Sequence, residues 1–199
     1  MRALFIIDPQ NDFTEEGSLP VPGGKAALDS IAGYLNGREK FYGYIFVTMD
    51  HHPVKHKSFI ENGGTWPQHC VAGTCGAEIN EPLKSKITGI MVSKSANVAY
   101  CYKGTQTDKE EYSIFSLENG EPTNSAGKII ANTVKNNKFT EIHICGLAGD
   151  VCVYDTLSDL LQMFPDIEYS VLIDGVASLD GDEKLTALAE KNNVQIIKF

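Results

Sequence analysis

Three residues with the chemistry of an acyl-transfer site, Asp8, Lys103 and Cys152, each stand just past an apolar, strand-like run. Cys152 ends the stretch Ile144-Cys-Gly-Leu-Ala-Gly-Asp-Val-Cys152, which reads as a buried strand, a tight turn of small residues and the first turn of a helix. A thiol at that place lies in the positive end of the helix macrodipole, close to unpaired backbone N–H groups. The field predicts a thiol pKa lowered toward the reactive thiolate, and the same N–H groups can hold an oxyanion. A carboxylate such as Asp8 can accept the thiol proton, and an ammonium such as Lys103 favours ionised neighbours. On spacing alone the plainer alternatives stay open: a turn aspartate, a solvated lysine, and a cysteine that only packs.

A second constellation is Asp50-His51-His52-Pro-Val-Lys-His56, followed by Trp66-Pro-Gln-His69. Side chains alternate along extended chain, so Asp50 and His52 fall on one side. Another histidine from the same stretch can complete three ligands, and a carboxylate with imidazoles suits zinc, iron or manganese. Four of the five histidines fall between His51 and His69, which favours a ligand cluster over scattered polar residues. The loop aromatics Phe13, Trp66, Tyr112 and Phe115 could wall a flat ring ligand, or simply pack their own loops. Dinucleotide, Walker and nucleophile-elbow signatures are missing.

The elements that must position these groups alternate between strand and helix. Apolar runs at 3–7, 43–49, 87–92, 98–102, 140–145, 168–173 and 194–197 read as strands, and 24–38, 125–136, 152–163 and 182–191 as helices. This alternation predicts an α/β fold with a mainly parallel sheet. In such sheets ligands bind beyond the carboxyl ends of the strands, at a topological switch point. Asp8, Asp50, Lys103 and Cys152 therefore converge on one edge. Residues 51–86 carry no sustained period and read as a functional loop within a single domain spanning 1–199.

Composition narrows the classes of partner. The 199 residues are 42% hydrophobic and 22% charged, with a net charge of −9. That balance argues against nucleic acid and against anionic membrane surfaces. No apolar run reaches the ~18 residues of a membrane helix, and Met1–Asp8 reads as a strand and not as a signal peptide. Five irregularly spaced cysteines argue against a disulfide framework and for a reducing compartment, the cytoplasm. Monomer and homo-oligomer both remain open.

The motifs taken together resemble the nicotinamidase/pyrazinamidase branch of the isochorismatase-like cysteine hydrolase family. The resemblance rests on Leu4-Phe-Ile-Ile-Asp8-Pro-Gln10-Asn-Asp-Phe13, Thr48-Met-Asp50-His-His52-Pro-Val-Lys-His56, Trp66-Pro-Gln-His69-Cys, Lys103-Gly104, Tyr112-Ser-Ile-Phe and Cys145-Gly-Leu-Ala148-Gly-Asp150-Val-Cys152. It implies a three-layer α/β/α fold with a six-stranded, mainly parallel sheet of Rossmann-like topology. It implies Cys152 as nucleophile, Asp8 as proton acceptor, Lys103 as third catalytic member, and Ala148 and Cys152 as backbone donors to the oxyanion. A cis peptide at Leu147-Ala148 belongs to the same pattern. Asp50, His52 and His69 would hold one divalent metal, zinc or else iron or manganese, with His56 a ligand in some members. The metal would take the ring nitrogen of the substrate, with Phe13, Trp66, Tyr112 and Ala148 forming its pocket. The implied reaction is hydrolysis of nicotinamide to nicotinate and ammonia in NAD salvage, with pyrazinamide also accepted. The alternatives are a sister amidase for another small carboxamide, or a binding module with a dead site. Two positions depart from the pattern: Gly149 stands where the turn usually carries Thr or Ser, and His51 where the residue is often aromatic.

Overall fold

A computed structural model describes residues 1–199. Six strands form one parallel sheet. They are β1 (Arg2–Ile7), β2 (Tyr44–Asp50), β3 (Asn97–Lys103), β6 (Glu141–Leu147), β7 (Glu168–Ala177) and β8 (Gln195–Ile197). A two-stranded hairpin, β4 (Leu117–Glu118) with β5 (Glu121–Pro122), sits in the connection after β3. The crossover helices are α1 (Gly24–Tyr34), α2 (Leu83–Val92), α3 (Ser125–Asn137), α4 (Tyr154–Met163) and α5 (Glu183–Lys191). Helices covering a parallel sheet explain why its central strands are apolar throughout and not alternating. Residues 3–7 are completely buried, as are Ile142, Ile144 and Cys145 on the neighbouring strand.

The strand order places the switch point between β1 and β6. The chain winds from β1 through β2 to β3 on one side, then returns to β6 and winds outward through β7 to β8. The carboxyl ends of β1 and β6 are thus adjacent, with Ile7 in register with Gly146. On the other side of β1, the register brings Asp50 opposite Lys103 at the ends of β2 and β3.

One predicted strand is a helix. Residues 87–92 lie within α2, and the strand of this region is β3. The β-branched run Ile87-Thr-Gly-Ile-Met-Val favours a strand by composition. The helix wins because Leu83, Ile87 and Ile90 recur on one face and are fully buried there, while Met91 and Val92 are exposed. The long loop is correspondingly shorter than the predicted 51–86, since α2 begins at Leu83. Helix α1 stops at Tyr34, four residues before the predicted end at Arg38.

Candidate active site

Each proposed catalytic side chain is delivered by a strand end. Asp8 follows β1 with φ 45°, in the left-handed region that aspartate tolerates better than most residues. Its Oδ1 accepts a hydrogen bond from Thr48 Oγ1 at 2.8 Å. Asp50 and Lys103 are the last residues of β2 and β3. Cys152 lies in a π-helical turn, Gly149–Val153, that leads from β6 into α4. Leu147-Ala148 is a cis peptide.

These four side chains meet in the interior. Lys103 is fully buried and its Nζ is hydrogen-bonded to Asp50 Oδ1. The same nitrogen lies 2.9 Å from Asp8 Oδ2 and 3.5 Å from Cys152 Sγ. Asp8 Oδ2 makes no well-directed hydrogen bond despite that ion pair, which leaves a buried carboxylate oxygen free to accept a proton. Burial works against Asp50, but Lys103, His52 and His69 together hold its carboxyl below the usual range. Burial likewise opposes the Lys103 ammonium, and the two aspartates outweigh it, so the lysine stays charged.

The thiol does not behave as its position after the turn predicts. Burial pushes Cys152 well above the ordinary thiol value, and Asp8 and Asp50 push in the same direction against Lys103. The lowered pKa expected from a helix end is therefore corrected. Loss of water and the Asp8 and Asp50 carboxylates act against the thiolate, and the single ammonium acts for it. Burial also raises Asp8, most strongly of its influences. Asp8 is placed to take the thiol proton as Cys152 attacks, since both groups face the Lys103 ammonium, at 2.9 and 3.5 Å.

The second constellation also assembles. Asp50, His52 and His69 are buried, with one donor atom of each within 4.8 Å of the others. Both imidazoles turn Nε2 toward Asp50 Oδ2, at 3.6 Å for His52 and 3.9 Å for His69. Donors ~2.0–2.2 Å from an ion lie roughly 3–3.6 Å apart, so a small contraction completes a site. The Nδ1 atoms are held by carbonyls, His52 by Gly104 O at 2.9 Å and His69 by Pro67 O at 2.7 Å. Such outer bonds fix the tautomer that leaves Nε2 free for a metal. The residues therefore fit a divalent ion, with Asp50 sharing its other oxygen with Lys103. His69 reaches this place because the loop folds back along β2: His52 N–H donates to Cys70 O at 3.0 Å and Ala72 N–H to His52 O at 2.9 Å.

His56 stands beside this group and not within it. Its ring stacks on His52 with centroids 4.1 Å apart. Its nitrogens face Ser58 Oγ at 2.7 Å and Lys109 O at 2.9 Å, and its donors group with His52 and Glu110.

A cleft opens onto both constellations. Phe13, Trp66, Tyr112 and Ala148 line it together with Asp50, His69 and Cys152. Trp66 Nε1 donates to Tyr112 Oη at 3.0 Å, locking two aromatic walls together. Phe115 is not among them; it is fully buried against Phe5, where sheet packing claims it. His51 also turns away and packs on Tyr102, with centroids 4.6 Å apart.

Several positioning residues had no assigned role in the sequence. Gln10 clamps the backbone of Asp50, accepting from its N–H at 2.8 Å and donating to its carbonyl at 2.7 Å. Asp12 accepts from Cys70 N–H at 2.7 Å, anchoring the chain next to His69. Phe59 is fully buried and packs edge-on against His52, His56 and His69. Glu110 and Leu179 line the cleft. Gln10 and Asp12 carried a signal, their place in the Asp8-Pro-Gln10-Asn-Asp-Phe13 motif, and Phe59 closes the run that follows His56; Glu110 and Leu179 become visible only when distant segments meet.

Gly149, the departure in the turn, has a local explanation. A Cβ there would lie 2.3 Å from Ser178 Oγ and 2.6 Å from Val176 Cγ1. Ser178 Oγ is itself engaged with Asp182 Oδ1 at 2.6 Å, so a hydroxyl from the loop after β7 occupies the space. Gly149→Ala is expected to destabilise the fold by roughly 1–3 kcal/mol through overpacking. Chemical denaturation measures it, and an unchanged midpoint would refute the packing argument.

Comparison with known proteins covers the whole chain. An isochorismatase domain model matches residues 2–196. The chain is 34% identical to the nicotinamidase/pyrazinamidase of Mycobacterium tuberculosis, over 98% of this chain and 97% of that protein. The pyrazinamidase of Pyrococcus horikoshii in complex with zinc superposes with a TM-score of 0.77 at 32% identity, covering 100% of this chain and 99% of that one. The PnC1 protein of L. infantum in complex with nicotinate superposes at 0.81 with 30% identity, covering 100% and 92%.

Proposed function

The chain belongs to the isochorismatase domain family, and from that premise we propose that it hydrolyses nicotinamide to nicotinate and ammonia. The observation that carries the reading is the convergence of Asp8 and Cys152 within 3.5 Å of Lys103 Nζ, with Cys152 lining an aromatic cleft. Named relatives support the amide as substrate: nicotinamidases and pyrazinamidases by sequence, and a structural relative that binds nicotinate. Pyrazinamide, a ring analogue, is taken as a second substrate.

The chemistry follows from the residues present. The Cys152 thiol gives its proton to Asp8, and its sulfur attacks the carboxamide carbon. The backbone N–H groups of Ala148 and Cys152 receive the oxyanion. Asp8 returns the proton to the departing nitrogen, so ammonia leaves and a thioester remains. The Asp8 carboxylate then takes a proton from water, whose oxygen attacks the thioester carbon. As the C–S bond breaks Asp8 returns that proton to sulfur, restoring the thiol, and the acid departs as nicotinate with its own proton lost to solvent. Lys103 holds the two aspartates in place and keeps their charges compensated throughout. Phe13, Trp66 and Tyr112 hold the ring flat and exclude water.

Asp50, His52 and His69 would hold one divalent metal, zinc or else iron or manganese. When bound, it supplies a Lewis acid with open positions suited to a ring nitrogen. The same reading takes residues 1–199 as one domain, with the stretch at about 51–86 as its metal and substrate loop. It places the reaction in NAD salvage in the cytoplasm. No helix is long and apolar enough to cross a membrane.

The test is ammonia release from nicotinamide, with and without a chelator. Turnover that is lost on chelation and restored by added metal is expected. His52→Ala should lose the metal by elemental analysis and lose turnover with it. Full occupancy in that variant would contradict the ligand set, and absence of ammonia release by the metal-loaded wild-type protein would overturn the proposed reaction.

A further inference from the structure

The metal ligand His52 is held from outside by Gly104, and Gly104 is in turn held by a buried acid that belongs to neither constellation. Gly104 O faces His52 Nδ1 at 2.9 Å. Gly104 has φ +61°, and a Cβ there would lie 2.3 Å from His52 Cε1. The backbone therefore approaches the imidazole as closely as only glycine permits. Gly104 N–H donates to Glu111 Oε2 at 2.9 Å, and Asn124 Nδ2 donates to the same oxygen at 2.9 Å. Glu111 is 2% exposed, and its other oxygen lies 3.2 Å from Lys109 Nζ. Asn124 also caps α3 by accepting from Ala126 and Gly127 N–H, at 2.8 and 3.2 Å.

We propose that Glu111 is a positioning residue for the metal site: it fixes the Gly104 peptide, whose carbonyl sets the orientation of the His52 ring. The proposal rests on the metal reading of Asp50, His52 and His69. The physical basis is the geometry of a relay. A buried carboxylate with two directed N–H bonds on one oxygen and a lysine ammonium near the other is held in a fixed place. It ties the segment just past Lys103 to the start of α3, some twenty residues on in the chain. Because Gly104 follows Lys103 directly, the same anchor steadies the strand end that carries the ammonium. Outer partners of this kind change metal affinity by about 10–100-fold when removed. Fold stability alone would not require the acid to be aimed at the peptide whose carbonyl faces His52 Nδ1.

The test compares metal binding in wild-type protein, Glu111→Ala and Glu111→Gln, using cobalt(II) as the probe metal. Dissociation constants come from chelator competition, and the visible ligand-field bands report the geometry of the bound ion. Tyr42→Phe serves as a stability control. Tyr42 lies at the other end of the sheet, bonded to Tyr34 and His143, and touches nothing in the site. Glu111→Ala is expected to raise the dissociation constant by about 10–100-fold and to shift the bands. Glu111→Gln retains an oxygen for Gly104 N–H but loses the charge that faces Lys109 Nζ, so it should bind more weakly than wild type and more tightly than Glu111→Ala. It also carries the test if the alanine variant does not fold: a glutamine variant that binds metal more weakly than Tyr42→Phe at matched melting temperature supports the role. Wild-type affinity and unchanged bands in either folded Glu111 variant would overturn it. Failure of wild-type protein to bind cobalt, or undiminished binding by His52→Ala, would overturn the metal reading instead and the proposal with it.

Discussion

Cys152→Ala is expected to abolish ammonia release from nicotinamide while the protein stays folded and keeps its metal. Removing a nucleophile that works as part of a unit costs roughly 10⁴–10⁶-fold in kcat, and the remaining groups cannot substitute for it. The geometry makes the effect specific. Cys152 Sγ meets Lys103 Nζ at 3.5 Å but is no member of the group formed by Asp50, His52 and His69. Its loss removes the attacking atom and leaves the three ligands in place. Single-turnover assays with stoichiometric protein detect even slow chemistry, and elemental analysis reads the metal. Turnover within about tenfold of wild type would sink the nucleophile assignment. Loss of metal together with activity would instead make the thiol a ligand, which Asp8, Asp50 and Cys152 could form as a separate donor group.

Lys103→Ala is expected to cost both activity and about 3–5 kcal/mol of stability, the usual penalty for stranding buried charge. Lys103 and Asp8 are both fully buried, Asp50 is 5% exposed, and the ammonium compensates both acids. Without it two carboxylates face each other in a site with little water. The double variant Lys103→Ala with Asp8→Asn should then be more stable than Lys103→Ala alone, because it removes one of the stranded charges. Equilibrium denaturation of the single and double variants measures this coupling. A double variant no more stable than Lys103→Ala would mean that the lysine acts by packing and not by charge. Added divalent metal should also recover part of the loss in Lys103→Ala, since an ion on Asp50 supplies positive charge and ligand binding stabilises the folded state.

The site residues were legible to different degrees, and the differences have physical causes. Asp8, Asp50, Lys103 and Cys152 could be placed on one edge because a continuous apolar run marks a buried parallel strand and its polar terminus marks the carboxyl end. The Asp50-x-His52 spacing survives folding because extended chain alternates its side chains whatever the surroundings. Residues 87–92 were misread because six residues cannot distinguish a short buried strand from one turn and a half of helix; Leu83, four positions upstream, completes the helical face. Phe115 and Phe13 are both loop aromatics, yet one fills the core and the other the cleft. Local pattern holds no information on that choice.

Local order thus determined the alternating α/β architecture, the ends at which chemistry could sit, and the residue types available there. Those properties follow from hydrophobic period and chain geometry, which act over a few residues. The tertiary structure alone decided how the groups are charged and held. At Cys152 burial and the Asp8 and Asp50 carboxylates push the thiol up, an influence that nothing in its own helix encodes. Gln10 and Asp12 became parts of the site only when segments far apart in the chain closed on the backbones of Asp50 and Cys70, and Glu111 only when its loop folded back on Gly104. Desolvation and Coulomb interaction depend on distances through space, and no spacing along the chain encodes them.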